Sequence, residues 1–160
     1  MSRKLYIMCG VSGSGKSTFL YNYIENQENC FVISRDKIRF ALLKDKDEYF
    51  KYESIVKKMF HSGITAALQL GYDVFADQTS LTIASRRKLV GNVRGFSEVN
   101  AIWIDTPLTT CIEQDSQREG RAFVGARKIT TMFNSFIPPS FKEGFSQIFR
   151  YHDGVLTTEK

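Results

Sequence analysis

The 160-residue sequence contains no apolar run close to the roughly 20 residues that a membrane-spanning helix needs. Its start, Met1 to Lys4, leads directly into the apolar segment 5–9, which leaves no room for a signal peptide. The three cysteines, Cys9, Cys30 and Cys111, are odd in number and have no C-x-x-C spacing, which favours reduced thiols. We therefore expect a cytoplasmic protein with no membrane partner.

Metal-binding clusters, repeats and long linkers are also missing. The two histidines, His61 and His152, lie far apart and lack the spacing of metal ligands. A chain of 160 residues has room for one hydrophobic core, so we predict a single domain over residues 1–160. The formal net charge is +5, and several arginines and lysines cluster in two segments, 86–94 and 118–128, which suits a polyanionic ligand.

A glycine-rich segment follows the first apolar run. Residues 10–17 satisfy the pattern G-x-x-x-x-G-K-[ST], with a predicted strand before it and a predicted helix after it. In that context backbone N–H groups and the positive end of the helix dipole surround phosphate oxygens. Lys16 is expected to reach the β- and γ-phosphates, and Ser17 to join the Mg²⁺ shell. An ordinary turn would leave the Lys-Ser pair at the helix start unexplained.

The sequence therefore predicts a site for ATP and Mg²⁺, with Ser17 as the metal ligand. The predicted ATP contacts come from Gly10, Ser12, Gly13, Ser14, Gly15, Lys16, Ser17 and Thr18. Further along the chain, Arg118 and Arg121 flank Gly120 in a predicted loop. Guanidinium groups on such a loop can close over a triphosphate and neutralise charge in the transition state. We predict a lid in which Arg118 assists transfer and Arg121 binds ATP; the alternative is a solvated charged loop.

Short apolar segments alternate with longer segments of helical periodicity, as in a parallel sheet covered on both faces. The predicted strands are 4–9, 30–33, 73–76, 99–104 and 145–151. The predicted helices are 16–25, 37–43, 49–69, a helix capped by Ser80 or Thr82 and ending near 93, one from 107 to about 117, and 126–136. Residues 157–160 are expected to be a frayed tail. The prediction is an α/β P-loop NTPase fold, with a central parallel sheet of about five strands flanked by helices and an arginine-bearing lid.

Polar residues follow the predicted strands, where open parallel sheets bind their ligands. Asp36, after the second strand, is a candidate for the carboxylate that accepts the proton of an acceptor hydroxyl in phosphoryl transfer. Arg39 lies three residues on, on the same helix face, and is a candidate contact to an acceptor phosphate. In the alternative, Asp36 is a helix cap and Arg39 its surface ion partner. The sequence leaves both interpretations open.

Two further groups are candidates for binding the acceptor. Asp77 closes the third strand, where its carboxylate would orient a Mg²⁺-bound water or the acceptor. Arg86 and Arg87 lie in the helix that follows and would grip an anionic acceptor. We therefore predict substrate contacts from Arg39, Asp77, Arg86 and Arg87.

Together these motifs resemble the kinase domain of the 5′-polynucleotide kinases of phage and eukaryotic end repair. The resemblance runs through Gly10–Thr18, Ile33–Arg39, Ala76–Ser80 with Arg86 and Arg87, Gln117–Arg121, Met132–Pro139 and Glu143–Phe145. It implies that Asp36 is the general base, that Arg39 contacts the acceptor's phosphate, and that Lys16, Ser17 and Arg118 stabilise the transferring group. It also implies that Asp77 lies near the acceptor.

The resemblance implies a kinase that uses ATP and Mg²⁺ to phosphorylate the 5′-hydroxyl of an RNA or DNA end. A P-loop kinase of a nucleoside, nucleotide or other small metabolite would use the same donor site. An ATP-hydrolysing switch protein is a third interpretation, although a switch needs no acceptor base such as Asp36.

Overall fold

A computed structural model describes residues 2–160, and six α-helices and six strands lie within that range. The strands are β1 (Lys4–Cys9), β2 (Cys30–Ser34), β3 (Asp73–Asp77), β4 (Glu98–Ile104), β5 (Gln147–His152) and β6 (Val155–Thr158). The helices are α1 (Lys16–Ile24), α2 (Arg35–Leu42), α3 (Glu53–Gln69), α4 (Ile83–Asn92), α5 (Leu108–Ser116) and α6 (Ala126–Ser135), with short 3₁₀ helices at Gly120–Ala122 and Phe141–Glu143.

The strands form one sheet in the order β2-β3-β1-β4-β5-β6. All pairings are parallel except that of β6 with β5. Helices connect the parallel strands, as such crossovers require. Because the parallel strands point the same way, the residues that follow β1, β2, β3 and β4 meet along one edge of the sheet. The P-loop α/β fold predicted from the sequence is confirmed.

The alternation of side chains along β1 divides the core into two faces. Leu5 and Ile7 pack on one face with Phe60 and Ile64 of α3. Tyr6 and Met8 point to the other face, where Leu20 of α1 completes a second cluster. Since β1 is central and covered on both sides, the loop that follows it begins from a rigid, buried strand.

Several element boundaries differ from the prediction. Residues 157 and 158, predicted to belong to a frayed tail, are part of a sixth strand, because Asp153 and Gly154 adopt positive φ angles and turn the chain back onto β5. Helix α3 begins at Glu53, not at residue 49, because residues 49–52 form turns. Of the two predicted caps for α4, Thr82 is the one used; its side chain accepts a hydrogen bond from the Ser85 N–H.

Within residues 2–160, no helix combines the length and apolar character of a membrane span.

Candidate active site

The glycine-rich loop lies between β1 and α1, at the carboxyl edge of the sheet. Gly13 and Gly15 have φ angles of 80° and 91°, in the left-handed region that glycine adopts without strain. A Cβ atom at Gly13 would also collide with the carbonyl oxygen of Cys111. The loop is anchored by the Gly10 N–H, which donates to the Thr79 carbonyl at 3.0 Å. These constraints hold the loop in a tight curve at the start of α1.

The loop has features of an anion site. The buried Ser14 hydroxyl has no hydrogen-bond partner within the protein. The backbone carbonyl of Ser14 accepts a hydrogen bond from the Thr106 hydroxyl at 2.8 Å. The start of α1 supplies unpaired N–H groups and the positive end of the helix dipole. An orphaned hydroxyl beside such N–H groups fits a phosphate oxygen.

Ser17 and Asp77 come together at the first turn of α1. The Ser17 hydroxyl donates a 3.1 Å hydrogen bond to Oδ2 of Asp77, which is buried at the end of β3. A hydroxyl beside a carboxylate is an oxygen donor set that suits Mg²⁺, which also takes water and phosphate oxygens. Among residues 2–160 no group of three or more His, Cys, Asp or Glu forms a metal cage. A Mg²⁺ ion held partly by a substrate's phosphates fits this arrangement.

Lys16 lies among the charged groups of the site. Its ammonium donates to the Val11 carbonyl at 3.3 Å. Burial lowers the pKa of Lys16, while the charges of Asp77 and Asp36 act in the opposite direction and that of Arg118 adds to the lowering. Lys16 therefore interacts electrostatically with Asp77, Asp36 and Arg118, which come from three separate segments of the chain.

Asp36 is exposed at the start of α2, with 63% of its side chain accessible. It is not the helix cap, because the Ser34 hydroxyl fills that position and accepts the Lys37 N–H. Asp36 forms an ion pair with the guanidinium of Arg39. The Tyr49 hydroxyl lies 3.5 Å from the same carboxylate oxygen. The carboxylate is therefore held in place with one side open to solvent.

Arg39 itself is buried, and its predicted contact to an acceptor phosphate stays a prediction. Its Nε and Nη2 atoms donate to the two oxygens of Glu53 at 3.0 and 2.9 Å. Burial opposes the charged form, but these hydrogen bonds raise the pKa of Arg39. With Asp36, Tyr49 and Glu53 around it, the guanidinium is occupied by protein groups. Arg39 positions Asp36 rather than offering a free cation.

Arg86, a predicted substrate contact, has protein groups around its guanidinium. Only 1% of the residue is exposed. Its Nε and Nη2 atoms donate to the two oxygens of Glu143 at 2.7 and 2.9 Å, and Nη1 donates to the carbonyls of Ser80 and Ile137. Arg86 therefore connects α4, the loop after β3 and the segment after α6 through buried hydrogen bonds. Its neighbour Arg87 is exposed, and a substrate contact from Arg87 stays a prediction.

The two arginines of the predicted lid have different surroundings. Arg118 is exposed, lies 3.8 Å from the Asp115 carboxylate, and lines a cleft beside Ser14 and Gly15. Arg121 turns away from the phosphate loop: its Nη2 donates to the carbonyls of Lys44, Asp45 and Asp47 at 2.9, 3.0 and 2.6 Å. Arg121 thus links the lid to the segment between α2 and α3, and its ATP contact stays a prediction.

The cleft beside the phosphate loop has a volume of about 530 Å³. Its walls come from α1, α5 and the turn between β5 and β6. Phe19 and Tyr151 lie in this wall with ring centroids 4.6 Å apart. The cleft joins the phosphate loop directly, so a ligand with phosphates in the loop has room here for an adjoining group.

Comparison with known families decides the classification. Residues 5–139 match a family model described as an AAA domain. The chain belongs to this family. The match covers β1 to the segment after α6, and so contains the phosphate loop, Asp36, Asp77 and the lid arginines. Together with the fold, it identifies this AAA domain chain as a P-loop protein of the kinase type.

Solved structures share the fold of this AAA domain chain. A chain of the Pnkp1/Rnl/Hen1 RNA repair complex has a TM-score of 0.72 at 24% identity, over 84% of this chain and 44% of that chain. A sugar kinase from Janibacter sp. HTCC2649 has a TM-score of 0.65 at 17% identity, over 94% and 86%. A fungal RNA kinase has a TM-score of 0.61 at 10% identity, over 95% and 38%. No curated protein sequence matches the chain. The chain spans less than half the length of two of these neighbours.

Sequence reasoning missed two groups at the site of this AAA domain chain. Glu53 holds both Arg35 and Arg39, with the Arg35 Nε donating to Glu53 at 3.1 Å. Tyr49 reaches Asp36, although residues 49–52 were predicted to be helical. The signal that could have pointed to Glu53 is an acidic residue in the first turn of α3, but its partners are set by the packing of α3 on α2.

Proposed function

We propose that this chain is an ATP- and Mg²⁺-dependent kinase that transfers the γ-phosphate to the 5′-hydroxyl of a nucleic-acid end. The observation that carries the proposal is the position of Asp36. Its exposed carboxylate is held by Arg39 at the carboxyl edge of the sheet, within electrostatic reach of Lys16. A group that accepts a proton opposite the phosphate loop is what a transferase needs and a nucleotide switch does not.

On the donor side, the N–H groups of residues 13–18 bind the phosphates of ATP and the Ser14 hydroxyl donates to one of their oxygens. Lys16 leaves the Val11 carbonyl and pairs with the β- and γ-phosphate oxygens. Ser17 and Asp77 would hold Mg²⁺, which would neutralise charge on the transferring group. Arg118, exposed beside the cleft, turns onto the γ-phosphate and stabilises the negative charge of the transition state.

The nucleoside of the donor occupies the cleft between α1, α5 and the β5–β6 turn. Its volume of about 530 Å³ is in the range of small-molecule sites. The Phe19 and Tyr151 rings offer it an apolar wall.

On the acceptor side, Asp36 takes the proton of the acceptor hydroxyl while the oxygen of that hydroxyl forms a bond to the γ-phosphorus. The bond from that phosphorus to the bridging oxygen breaks, and ADP leaves. Arg39 and Tyr49 keep the carboxylate oriented, and Glu53 keeps Arg39 oriented. Orientation of this kind supplies part of the rate enhancement, because the reacting groups no longer search for each other.

A nucleic-acid acceptor is supported by charge and by similarity. The net charge of +5 and the exposed Arg87 suit a phosphate backbone. The chains of the RNA repair complex and of the fungal RNA kinase have the same fold. The sugar kinase has this fold as well, so a small-molecule acceptor is the second candidate.

The test is transfer of labelled γ-phosphate from ATP to a panel of acceptors: 5′-hydroxyl RNA and DNA oligonucleotides, nucleosides, nucleoside 3′-phosphates and sugars. We expect oligonucleotides to be preferred, with an acceptor KM that rises steeply with added salt while the KM for ATP rises less. Lys16→Ala serves as the inactive control and should lose about a hundredfold or more in turnover. Equal use of a nucleoside and an oligonucleotide without salt dependence would favour the small-molecule kinase.

A further inference from the structure

Phe50 is a large aromatic side chain that the fold leaves in solvent. The residue is 65% exposed, and it lies in the turns that precede α3. Its ring meets the Tyr49 ring edge-on, with centroids 4.7 Å apart. Tyr49 in turn packs edge-on against Phe40 of α2, at 6.0 Å. Tyr49 is thus anchored to the domain, and Phe50 is supported by Tyr49 while one face stays open.

The two rings, which we call the aromatic platform (Tyr49 and Phe50), lie next to the proposed general base. The Arg39 guanidinium is 4.9 Å from the Tyr49 ring centre and 5.6 Å from that of Phe50. The same guanidinium forms the ion pair with Asp36, and the Tyr49 hydroxyl lies 3.5 Å from that carboxylate. The platform and Asp36 therefore share one support, the Arg39 guanidinium.

The segment that carries the platform is held at several points. Arg121 of the lid donates to the carbonyls of Lys44, Asp45 and Asp47. Asp47 also accepts the Lys44 N–H at 2.9 Å and pairs with Lys51 at 2.7 Å. A surface that is ordered before its ligand arrives loses less conformational entropy on binding. Exposure of Phe50 on an anchored segment is therefore a feature of a binding surface.

We propose that the platform binds the nucleobase of the acceptor's 5′-terminal nucleotide by stacking on the Phe50 ring, which Tyr49 supports edge-on. In a nucleotide the base and the 5′-hydroxyl are separated by the ribose, so a base on Phe50 leaves the hydroxyl directed at Asp36. Stacking on an aromatic ring tolerates any base, because every base has a π-face. The platform thus selects acceptors that carry a base at the 5′ end without selecting its identity. The inference rests on the proposed function and specifies how its acceptor is recognised.

Binding is tested with a 5′-hydroxyl oligonucleotide that carries 2-aminopurine as its first base, without ATP. Stacking quenches 2-aminopurine fluorescence, so we expect quenching by the native protein and by Phe50→Trp, and its loss with Phe50→Ala. Phe31→Ala is the matched control, because Phe31 is also exposed (44%) but lies near the start of β2, at the opposite end of that strand from the site, and packs on Tyr72. Circular dichroism and ATP affinity establish that each variant is folded. Equal quenching by Phe50→Ala and the native protein overturns the platform.

Transfer is then compared between oligonucleotides with a normal and with an abasic 5′-terminal residue. For the native protein we expect kcat/KM to be about tenfold or more higher with the base present, and for Phe50→Ala we expect the ratio to fall towards one. If no oligonucleotide is phosphorylated, the proposed function fails and takes the platform with it. If oligonucleotides are phosphorylated and the ratio is the same in the native protein and Phe50→Ala, only the platform fails.

Discussion

The hydroxyl of Ser17 donates a 3.1 Å hydrogen bond to the carboxylate of Asp77, joining the phosphate loop to the end of β3 across 60 sequence positions. The pairing of β1 with β3 brings the two residues together, since Ile7 lies opposite Ala76 in that register. Ser17 lies in the first turn of α1, and Asp77 is the last residue of β3. Two oxygen groups therefore meet at the start of α1, and both are of the kind that Mg²⁺ prefers as ligands.

Removing either oxygen should raise the Mg²⁺ requirement. We expect Ser17→Ala and Asp77→Asn each to increase the Mg²⁺ concentration for half-maximal transfer several-fold. The double variant should need more Mg²⁺ than either single variant. Its fold-increase should be smaller than the product of the two single fold-increases, because both residues act on one ion. Ser135→Ala, an exposed serine at the end of α6, is the control. Unchanged Mg²⁺ curves for both single variants would remove this pair from the metal site.

Asp36→Asn separates the proton acceptor from a binding residue. The amide keeps the size of the side chain but cannot take a proton, so turnover should fall about a hundredfold or more while ATP affinity changes little. Steady-state kinetics and direct ATP binding measure the two effects. Loss of ATP affinity with normal turnover would instead make Asp36 a donor-site residue.

The Arg86–Glu143 pair predicts an effect on stability. Glu143→Gln leaves the Arg86 guanidinium buried without its full partner, which should cost about 3–5 kcal/mol in the free energy of unfolding. Arg87→Ala, next to it but exposed, should change stability by about 0.5 kcal/mol or less. Urea unfolding provides the comparison. If Glu143→Gln unfolds at the same urea concentration as the native protein, the pair does not hold the segments together.

Acid should destabilise the native protein partly through Glu53. Burial alone would raise the pKa of Glu53, but the hydrogen bonds from Arg39 and Arg35 outweigh it and lower the pKa below its ordinary value of 4.5. A lowered pKa means that the native state favours the ionised form, so this stabilisation is complete above the unfolded-state pKa and is lost as pH falls through the folded-state value.

Urea unfolding across the acidic range tests this effect. Glu53→Gln should be less stable than the native protein at neutral pH, and its stability should fall less on acidification. The exposed Glu28→Gln variant should follow the native protein at every pH. Parallel pH curves for Glu53→Gln and the native protein would contradict the assignment.

Local patterns were enough to predict most of the fold. The phosphate-loop pattern identified β1, the loop and α1, and the alternation of apolar segments with helical periodicity identified the parallel strands. The sixth strand was missed although Asp153-Gly154 is a strong hairpin signal, because β6 is short and its residues are exposed. The start of α3 was placed four residues early because Tyr49 and Phe50 pack against Phe40 and Arg39 instead of continuing the helix.

The sequence by itself determined the phosphate loop, the polar residues that follow the parallel strands, and the choice of Asp36 as a candidate base. Each of these depends on neighbours within a few residues. The state of the arginines was decided only by tertiary structure. Arg39, Arg86 and Arg121 read alike as exposed cations, yet two are buried against Glu53 and Glu143 and one is bound to carbonyls of a distant segment. A guanidinium has the same charge in every context, so only the packing of helices around it decides which acceptors it meets and whether it is free for a ligand.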